Sequence, residues 1–267
     1  MLEGLEISVL SLREAISEET SDRIDAEFFQ RKYVHIQNHL ENLKSKHLSA
    51  ITTKIDVGFV GSMVSEYTDK GIVLIQTKNV NEFFLNLDDP IKINSRFHLE
   101  LKKSQVKYGD VLIARSGSFG KASIYLKEEV VNSSDIIIVA ADKASILPEY
   151  LVAFLNSEMG SSQLFRFASG GLQGHVNLTI LENLKVPILS DTFQISIRFL
   201  VKAAHSAQEQ SKTLYAEAER VLLEELGINE TIFQTPVHEV VSNVKTFADM
   251  GDSWRLDAEY YQPKYDE

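Results

Sequence analysis

The first regular pattern of apolar positions lies near the N-terminus. Between Asp25 and His47, apolar side chains recur at alternating intervals of four and three residues, which places them on one face of an α-helix. Asp25 is a suitable N-cap, because its carboxylate can accept hydrogen bonds from N–H groups of the first turn. The spacing fits an amphipathic helix packed on its own domain, which we favour, and also a coiled coil. The positions are Phe29, Tyr33, Ile36, Leu40, Leu43 and His47.

Short β-rich runs replace this pattern between residues 51 and 146. They are separated by glycine and polar turns, and their spacing predicts a mixed sheet. The runs are GIVLIQ (71–76), DVLIA (110–114), ASIYL (122–126) and DIIIVA (135–140).

A helix, a loop and a closing strand follow the sheet. The run LPEYLVAFLNSEMG predicts a helix with Pro148 in its first turn and Gly160 near its end. ASGGLQGHVN is a glycine-rich loop, TILENL predicts a short helix, and KVPIL predicts a strand.

The segment from Phe193 to Leu226 contains neither glycine nor proline and predicts one long helix, which Gly227 ends. At 1.5 Å per residue this helix would be roughly 50 Å long, too long to bury one stripe against a single compact domain. It predicts an arm, a spacer or a dimer seam. The stripe consists of Ile197, Val201, Ala204, Ala207, Ser211, Leu214, Ala218, Val221 and Leu222.

An eleven-residue segment occurs twice. RIDAEFFQRKY (23–33) and RLDAEYYQPKY (255–265) are identical at seven positions, and only Arg31 against Pro263 is a non-conservative difference. We call these segments the first and second repeat copies. A motif that occurs twice is better suited to docking a helix or a partner than to reading two different ligands, although packing within the chain is an equally good interpretation.

Composition restricts the class of protein. The 267 residues include no cysteine, which excludes disulfides and Cys-ligated zinc and suits a cytoplasmic location. No apolar run reaches the roughly 18 residues of a membrane helix, and the acidic N-terminus is unlike a signal peptide. The net charge of −11 argues against a nucleic-acid partner. However, residues 51–190 hold 14 Lys and Arg against 15 Asp and Glu, so the acidity lies mostly outside this region.

Motifs for chemistry are almost absent. SGSFGK (116–121) lacks the first glycine of a P-loop, and Lys121 is followed by alanine instead of Ser or Thr. His35 and His39 lie one helical turn apart but are better explained as two surface residues. Asp89, Glu100 and Lys102 loosely imitate a magnesium-dependent nuclease site. We therefore predict that the chain is not an enzyme and keep nuclease activity as an alternative.

Three segments resemble the specificity (S) subunits of type I restriction–modification systems. They are YTDKGIVLIQTKNVNE (67–82), YGDVLIARSGSFGKASIY (108–125), which is the most specific match, and the region 148–189. Their order and spacing fit over about 140 residues, with Val73 where the family often has proline and only Pro187 at the end of the last strand. The resemblance continues into the long helix.

The resemblance implies an α+β fold with one mixed or antiparallel-sheet target recognition domain and a long, coiled-coil-like spacer helix. It divides the chain into an N-terminal segment (1–50), the recognition domain (51–190), a spacer and dimerisation helix (191–227), and a linker with the start of a second repeat (228–267). The expectation is a half-subunit, either natural or cut down from a longer chain.

The function implied is sequence-specific DNA recognition at one half-site of a bipartite target. The implied partners are double-stranded DNA, a methyltransferase (M) subunit, a restriction (R) subunit and a second copy of the chain. S-adenosylmethionine would be held by M, and ATP and magnesium by R, with no cofactor in this chain. A scaffold with the same fold that does not bind DNA is the alternative, and the net charge favours it.

Candidate site residues follow from side-chain chemistry within the matching segments. Arg and Lys supply most phosphate and base contacts, and Asn and Gln can bind adenine bidentately. The DNA-binding candidates are Arg115, Ser116, Ser118, Lys121, Gln76, Lys78, Asn79, Asn81, Gln173, His175 and Asn177. For each, a purely structural role is the alternative, and Arg115 could instead pair with Asp110 or Asp135. The candidates for a partner or dimer interface are Asp25, Phe28, Phe29, Ile197, Val201, Ala204, Leu214 and Val221.

Overall fold

The computed structural model describes residues 8–11, 25–115, 120–168 and 176–227. The chain divides into two compact units, Met1–His205 and Ser206–Glu267. The first unit contains helices and three β-sheets, so the predicted α+β class is confirmed. Within the described residues, no helix combines the length and the apolar character needed to cross a bilayer. The predicted domain boundaries stay predictions.

The described residues form α-helices and β-strands with the following bounds. The α-helices are α1 (Arg31–Asn42), α2 (Ser95–Glu100), α3 (Pro148–Asn156), α4 (Glu158–Ala168), α5 (Leu178–Glu182) and α6 (Asp191–Glu225). The strands are β1 (Ser45–His47), β2 (Thr52–Val57), β3 (Tyr67–Ile75), β4 (Phe83–Phe84), β5 (Lys92–Ile93), β6 (Gln105–Val106), β7 (Val111–Ala114), β8 (Ala122–Ile124), β9 (Val131–Ser133), β10 (Ile136–Ala141) and β11 (Lys185–Pro187).

The first repeat copy forms a turn before α1. The prediction that Asp25 caps the helix is wrong, because α1 begins at Arg31 and Gln30 occupies its N-cap position. Asp25 Oδ1 instead accepts a hydrogen bond from the backbone N–H of Phe28 at 3.0 Å. The carboxylate thus stabilises the turn that precedes the helix.

α1 packs on its own unit, as we favoured over a coiled coil. Tyr33 and Leu40 are buried, and Leu40 belongs to the main apolar core. The helix ends at Asn42, so the last two predicted seam positions, Leu43 and His47, lie beyond it. The chain turns there into β1, which pairs with β11 near the end of the unit.

A five-stranded sheet, ordered β2-β10-β7-β8-β4, forms the centre of the unit. Only the β4–β8 pair is parallel. Both faces of its central strands are buried: Val111 and Ile113 point into one apolar cluster, and Leu112 and Ala114 point into another. Because a strand alternates its side chains between faces, a strand buried on both sides is apolar throughout. This explains the continuous run in β7.

A four-stranded sheet, ordered β5-β3-β9-β6, contains a buried polar group around Asn132 of β9. Asn132 is fully buried and accepts hydrogen bonds from Ser104 Oγ at 2.5 Å and from the Ser133 N–H at 3.0 Å. Its Nδ2 therefore faces His98 Nδ1, 3.3 Å away. Burial lowers the pKa of His98.

The helix predicted over 148–160 is two helices, α3 and α4, separated at Ser157. Ser157 has an extended backbone, and its Oγ both donates to the Phe154 carbonyl at 2.6 Å and accepts from the Gly160 N–H at 3.3 Å. A Cβ on Gly160 would collide with the Phe154 carbonyl. Gly160 is therefore needed where the two helices approach each other closely, and it does not end a helix.

α6 is the predicted long helix, and Gly227 follows it with φ +68°. Its N-terminal part is seated on the first unit. Gln194 is buried and bonds the backbone of Leu147 and Leu189 at 3.0 Å each, and Val201 is buried in the main core. The position of the helix start is thus set by both polar and apolar contacts.

Candidate nucleic-acid interface

Arg115 and Asp135 lie together at one end of the five-stranded sheet. Arg115 follows β7 and Asp135 precedes β10, and these strands are antiparallel neighbours. Arg115 Nη1 lies 3.4 Å from Asp135 Oδ1, whereas Asp110 is at the opposite end of β7. The Arg115 Nε–H is buried and has no hydrogen-bond partner among the described residues. Because the side chain as a whole is 30% exposed, the guanidinium can still bind an acceptor from outside.

Lys121 immediately precedes β8, the strand that returns from this end of the sheet. Its carbonyl accepts the Ala114 N–H at 3.0 Å, and its side chain is half-buried. Gly120 has φ +80°, a conformation that favours glycine. The candidates Ser116 and Ser118, between Arg115 and Lys121, lie outside the described residues. Arg115 and Lys121 therefore lie at the two ends of one loop.

The candidates Gln76 and Asn79 have structural roles. Residues Thr77–Asn79 form a 3-10 turn in which Asn79 Oδ1 accepts the Gln76 N–H at 2.8 Å, and the Gln76 side chain accepts the Asn79 N–H. Asn79 is buried, and its Nδ2 donates to the Asn86 carbonyl at 2.9 Å. The structural alternative fits Asn79 better, since its amide is already used on both sides. The structural alternative applies to Gln76 as well.

Lys78 lies within this turn, and Asn81 follows it. The Asn81 backbone N–H and carbonyl both bond Ser123 Oγ, at 3.0 and 2.6 Å, which anchors the segment on β8. Lys78 is exposed and lines an open groove of about 660 Å³ together with Tyr67, Asp89 and Lys92. Lys78 is therefore the member of this set best placed for contact with a ligand.

Asn177 is the N-cap of α5, and its side-chain oxygen is already engaged by the helix. Its side chain accepts the Ile180 N–H at 2.8 Å, as expected for an N-cap asparagine. The other two candidates of the glycine-rich loop, Gln173 and His175, lie outside the described residues. The structural role of Asn177 explains its presence without a DNA contact.

The first repeat copy docks on Arg166 of α4. Arg166 is 4% exposed, its Nε donates to the Phe28 carbonyl at 2.9 Å, and its Nη1 bonds Gln37 Oε1. The guanidinium also lies 4.0 Å from the Phe28 ring centre and 5.6 Å from that of Phe29. The Phe167 ring meets Phe28 edge-on at 5.4 Å. Packing within the chain is thus the correct alternative for this segment.

The interface candidates Phe28 and Phe29 both have buried rings, so packing within the chain accounts for them. Asp25 is exposed, but its carboxylate holds the Phe28 N–H. Sequence reasoning missed Arg166. The only local signal was an arginine between two phenylalanines in the apolar run LFRF (164–167), which by itself does not reveal a partner 138 residues away.

The interface candidates on α6 divide into two groups. Val201 is buried and Ile197 is partly buried against the main core, so packing within the chain accounts for these two. Ala204 is exposed, and Leu214 and Val221 are 69% and 50% exposed. The second group remains available to a partner.

Asp89 and Glu100, two residues of the alternative nuclease site, have different surroundings. Glu100 pairs with Arg96 at 3.6 Å on α2, while Asp89 lines the open groove. His35 and His39 are exposed, as favoured from the sequence. The described part of the chain contains no cluster of three or more metal-ligating side chains.

Comparison with known proteins identifies a specificity subunit as a relative. No family model matches the chain. The sequence is 24% identical over 152 residues to the type I restriction enzyme EcoBI specificity subunit of Escherichia coli, covering 57% of this chain and 30% of that protein. The predicted resemblance is thereby confirmed. The relative is a specificity subunit, in agreement with the prediction that the chain is not an enzyme.

Comparison with solved structures finds similar chains at low sequence identity. The type IIG restriction endonuclease BpuSI matches with a TM-score of 0.50 and 13% identity, over 66% of this chain and 28% of that chain. The S subunit of a type I restriction–modification system from M. genitalium matches with a TM-score of 0.47 and 13% identity, over 72% and 48%. The HsdS subunit from Thermoanaerobacter tengcongensis matches with a TM-score of 0.43 and 16% identity, over 70% and 45%. The chain thus spans half or less of the length of these proteins.

Proposed function

We propose that this chain, a relative of type I restriction–modification specificity subunits, recognises one half-site of a bipartite DNA target. The similarity to the EcoBI specificity subunit carries this proposal. In it, the chain directs a partner adenine methyltransferase to the half-site and does no chemistry itself. The M subunit would bind S-adenosylmethionine and turn the adenine out of the duplex. An R subunit would supply ATP- and magnesium-dependent cleavage, and the complex would be cytoplasmic.

The end of the sheet that carries Arg115 is the first candidate for contact with DNA. Arginine can donate two parallel hydrogen bonds to a guanine edge or to a phosphate. Arg115 is partly exposed, and the charge of its guanidinium is shared with Asp135 at 3.4 Å. Lys121, at the other end of the same loop, adds a second cation. These two side chains, together with exposed Lys78, are the described candidates with suitable chemistry and access.

A second copy of the chain would supply the other half-site through α6. Seven positions of α6 follow an unbroken four-three spacing along its outward side, which is the pattern of a two-helix seam. Six of these side chains are exposed and Ser211 is half-buried. Leu200 replaces Ile197 and Val201 at the start of the stripe predicted from the sequence. The positions are Leu200, Ala204, Ala207, Ser211, Leu214, Ala218 and Val221.

Binding to duplex DNA at several salt concentrations, with and without the M subunit, tests the recognition proposal. The target sequence would first be identified by mapping adenine methylation in cells that hold the chain and its M subunit. We expect sequence-dependent binding that weakens steeply with salt. Arg115→Ala should weaken target binding by about tenfold or more if the guanidinium contacts a base. Arg96→Ala is the matched control, since Arg96 is an exposed arginine on α2 paired with Glu100.

The recognition proposal fails if no duplex is bound at low salt even with M present. The alternative would then stand: a scaffold that associates with M but does not bind DNA, as the net charge of −11 favours.

Mass in solution tests the second-copy proposal. We expect a dimer at high protein concentration that Leu214→Glu converts to a monomer, because the substitution places a charge in the seam. Tyr215→Glu is the control, since Tyr215 is 76% exposed on the same helix but lies outside the four-three spacing. A strict monomer at high concentration, with and without M, would exclude the dimer.

A further inference from the structure

A cluster of lysines surrounds the end of the sheet opposite Arg115. Lys54 of β2 is partly buried, and its Nζ donates to the carbonyls of Lys103 and Gln105, at 2.7 and 3.4 Å. Lys103 in turn places its own Nζ 3.0 Å from Asp56 Oδ1. Two ammonium groups are thereby held in defined positions next to β6.

Asp110, at the start of β7, lies close to further lysines. It is 8% exposed, and its Oδ2 accepts the Lys107 N–H at 2.8 Å. Burial raises the pKa of Asp110, while that hydrogen bond and the positive charges of Lys54, Lys107 and Lys143 lower it. Three lysines from separate parts of the chain therefore act on one carboxylate.

Positive charge exceeds negative charge in this cluster. Burial lowers the pKa of Lys54. The negative charges of Asp56 and Asp110 raise this pKa, and the positive charges of Lys107 and Lys103 lower it further. The two carboxylates are already engaged, one by Lys103 and one by a backbone N–H. Among the described residues, no carboxylate forms an ion pair with Lys102, Lys107 or Lys143, which are all exposed.

We propose that Lys54, Lys102, Lys103, Lys107 and Lys143 form a contact surface for the phosphates of duplex DNA beside the half-site. This inference rests on the proposed function and adds a contact region outside the segments that the sequence analysis selected. Lysines that bind phosphates raise affinity and fix the position of the protein on the duplex, without reading sequence.

The surroundings of the cluster favour DNA over an acidic protein. Protein interfaces have an apolar, often aromatic centre. Around these lysines most exposed positions are polar, such as Thr53, and the exceptions Tyr108 and Val130 are 37% and 38% exposed. The cluster also lies one four-residue strand from Arg115, a distance of about 13 Å.

Replacing the three exposed, unpaired lysines tests the inference in the full chain bound to M. The triple variant Lys102→Gln, Lys107→Gln, Lys143→Gln is compared with the triple variant Lys32→Gln, Lys44→Gln, Lys70→Gln, which makes the same charge change at exposed positions elsewhere. We expect the first variant to bind target and non-target duplexes about tenfold or more weakly, with their affinity ratio unchanged. The slope of log K against log salt should decrease by about one per lysine.

Each other outcome has one interpretation. If wild type binds its target specifically and the two triple variants behave alike, the lysine surface is wrong and the recognition proposal stands. If wild type with M binds no duplex, both proposals fall. If the first variant loses association with M in DNA-free buffer, the surface binds an acidic protein face and the DNA assignment is wrong. Thermal unfolding of both variants should match wild type, which excludes misfolding as the cause.

Discussion

The first repeat copy and the C-terminal part of α6 were both predicted to be partner surfaces, and they differ in what covers them. Phe28 is fully buried and Phe29 nearly so, held by Arg166 and Phe167 of α4. Leu214, by contrast, is 69% exposed. Both segments are rich in apolar side chains, so hydrophobicity alone does not distinguish a core from a docking face. The difference lies in whether the fold brings a complementary surface to the segment.

Phe28→Ala should have the largest effect, because it removes a fully buried ring that contacts Arg166, Phe29 and Phe167. We expect a loss of about 3–5 kcal/mol in the free energy of unfolding, measured by urea denaturation. Tyr215→Ala, which truncates a 76% exposed ring on α6, should change it by no more than about 0.5 kcal/mol. Equal effects would contradict the assignment of the first repeat copy to the core.

Arg166→Met should be the next most damaging change. It keeps much of the side-chain volume but leaves the Phe28 carbonyl without its donor and removes the cation above the ring. The expected loss is about 2–4 kcal/mol. Arg166→Lys, which keeps the charge but not the planar donor geometry, should recover part of it. A neutral Arg166→Met variant would show that apolar packing alone holds the segment.

The two parts of α6 can be compared by truncating one valine and one leucine. Val201→Ala removes a buried side chain and should cost about 2 kcal/mol in unfolding free energy. Leu214→Ala should change the unfolding free energy of the monomer by no more than about 0.5 kcal/mol and should weaken self-association instead. Urea denaturation at low protein concentration, combined with sedimentation at high concentration, separates the two effects. If Leu214→Ala destabilised the monomer more than Val201→Ala does, the seam would lie on the other face of the helix.

The smallest effect concerns pH. Arg166 keeps its charge throughout, so the docking of the first repeat copy should not vary near pH 6. The interior of the four-stranded sheet should vary, because burial lowers the pKa of His98 and the unfolded chain therefore binds the proton more readily. The pKa of a histidine in the unfolded chain is about 6.5. The free energy of unfolding should therefore decrease as the pH falls below that value toward the lower pKa of His98 in the folded chain.

Urea denaturation of wild type and His98→Gln at several pH values measures the effect of His98. The variant should lose less stability than wild type between about pH 7.5 and pH 5.5. The same pH dependence in both proteins would assign it to other groups.

Local sequence patterns correctly predicted helix or strand wherever tertiary packing does not alter the element. The runs at 110–114 and 135–140 correspond to Val111–Ala114 and Ile136–Ala141, because strands buried on both faces are apolar at every position. The long helix was predicted to within two residues at each end. The break at Ser157 was missed because the run was apolar enough to continue, and its hydroxyl caps both α3 and α4. Side-chain roles were predicted less well, as Asn79 illustrates, since its partners depend on the packed turn.

The sequence by itself determined the α+β class, the strand and helix types, the long helix and the resemblance to specificity subunits, because these follow from periodicity and from motifs within short segments. Only the tertiary structure decided which apolar faces are covered. Arg166 meets Phe28 across 138 positions of sequence, and Lys54, Lys107 and Lys143 come together from three separate segments. Such contacts depend on the path of the whole chain, and the free energy of each depends on burial that no local pattern specifies.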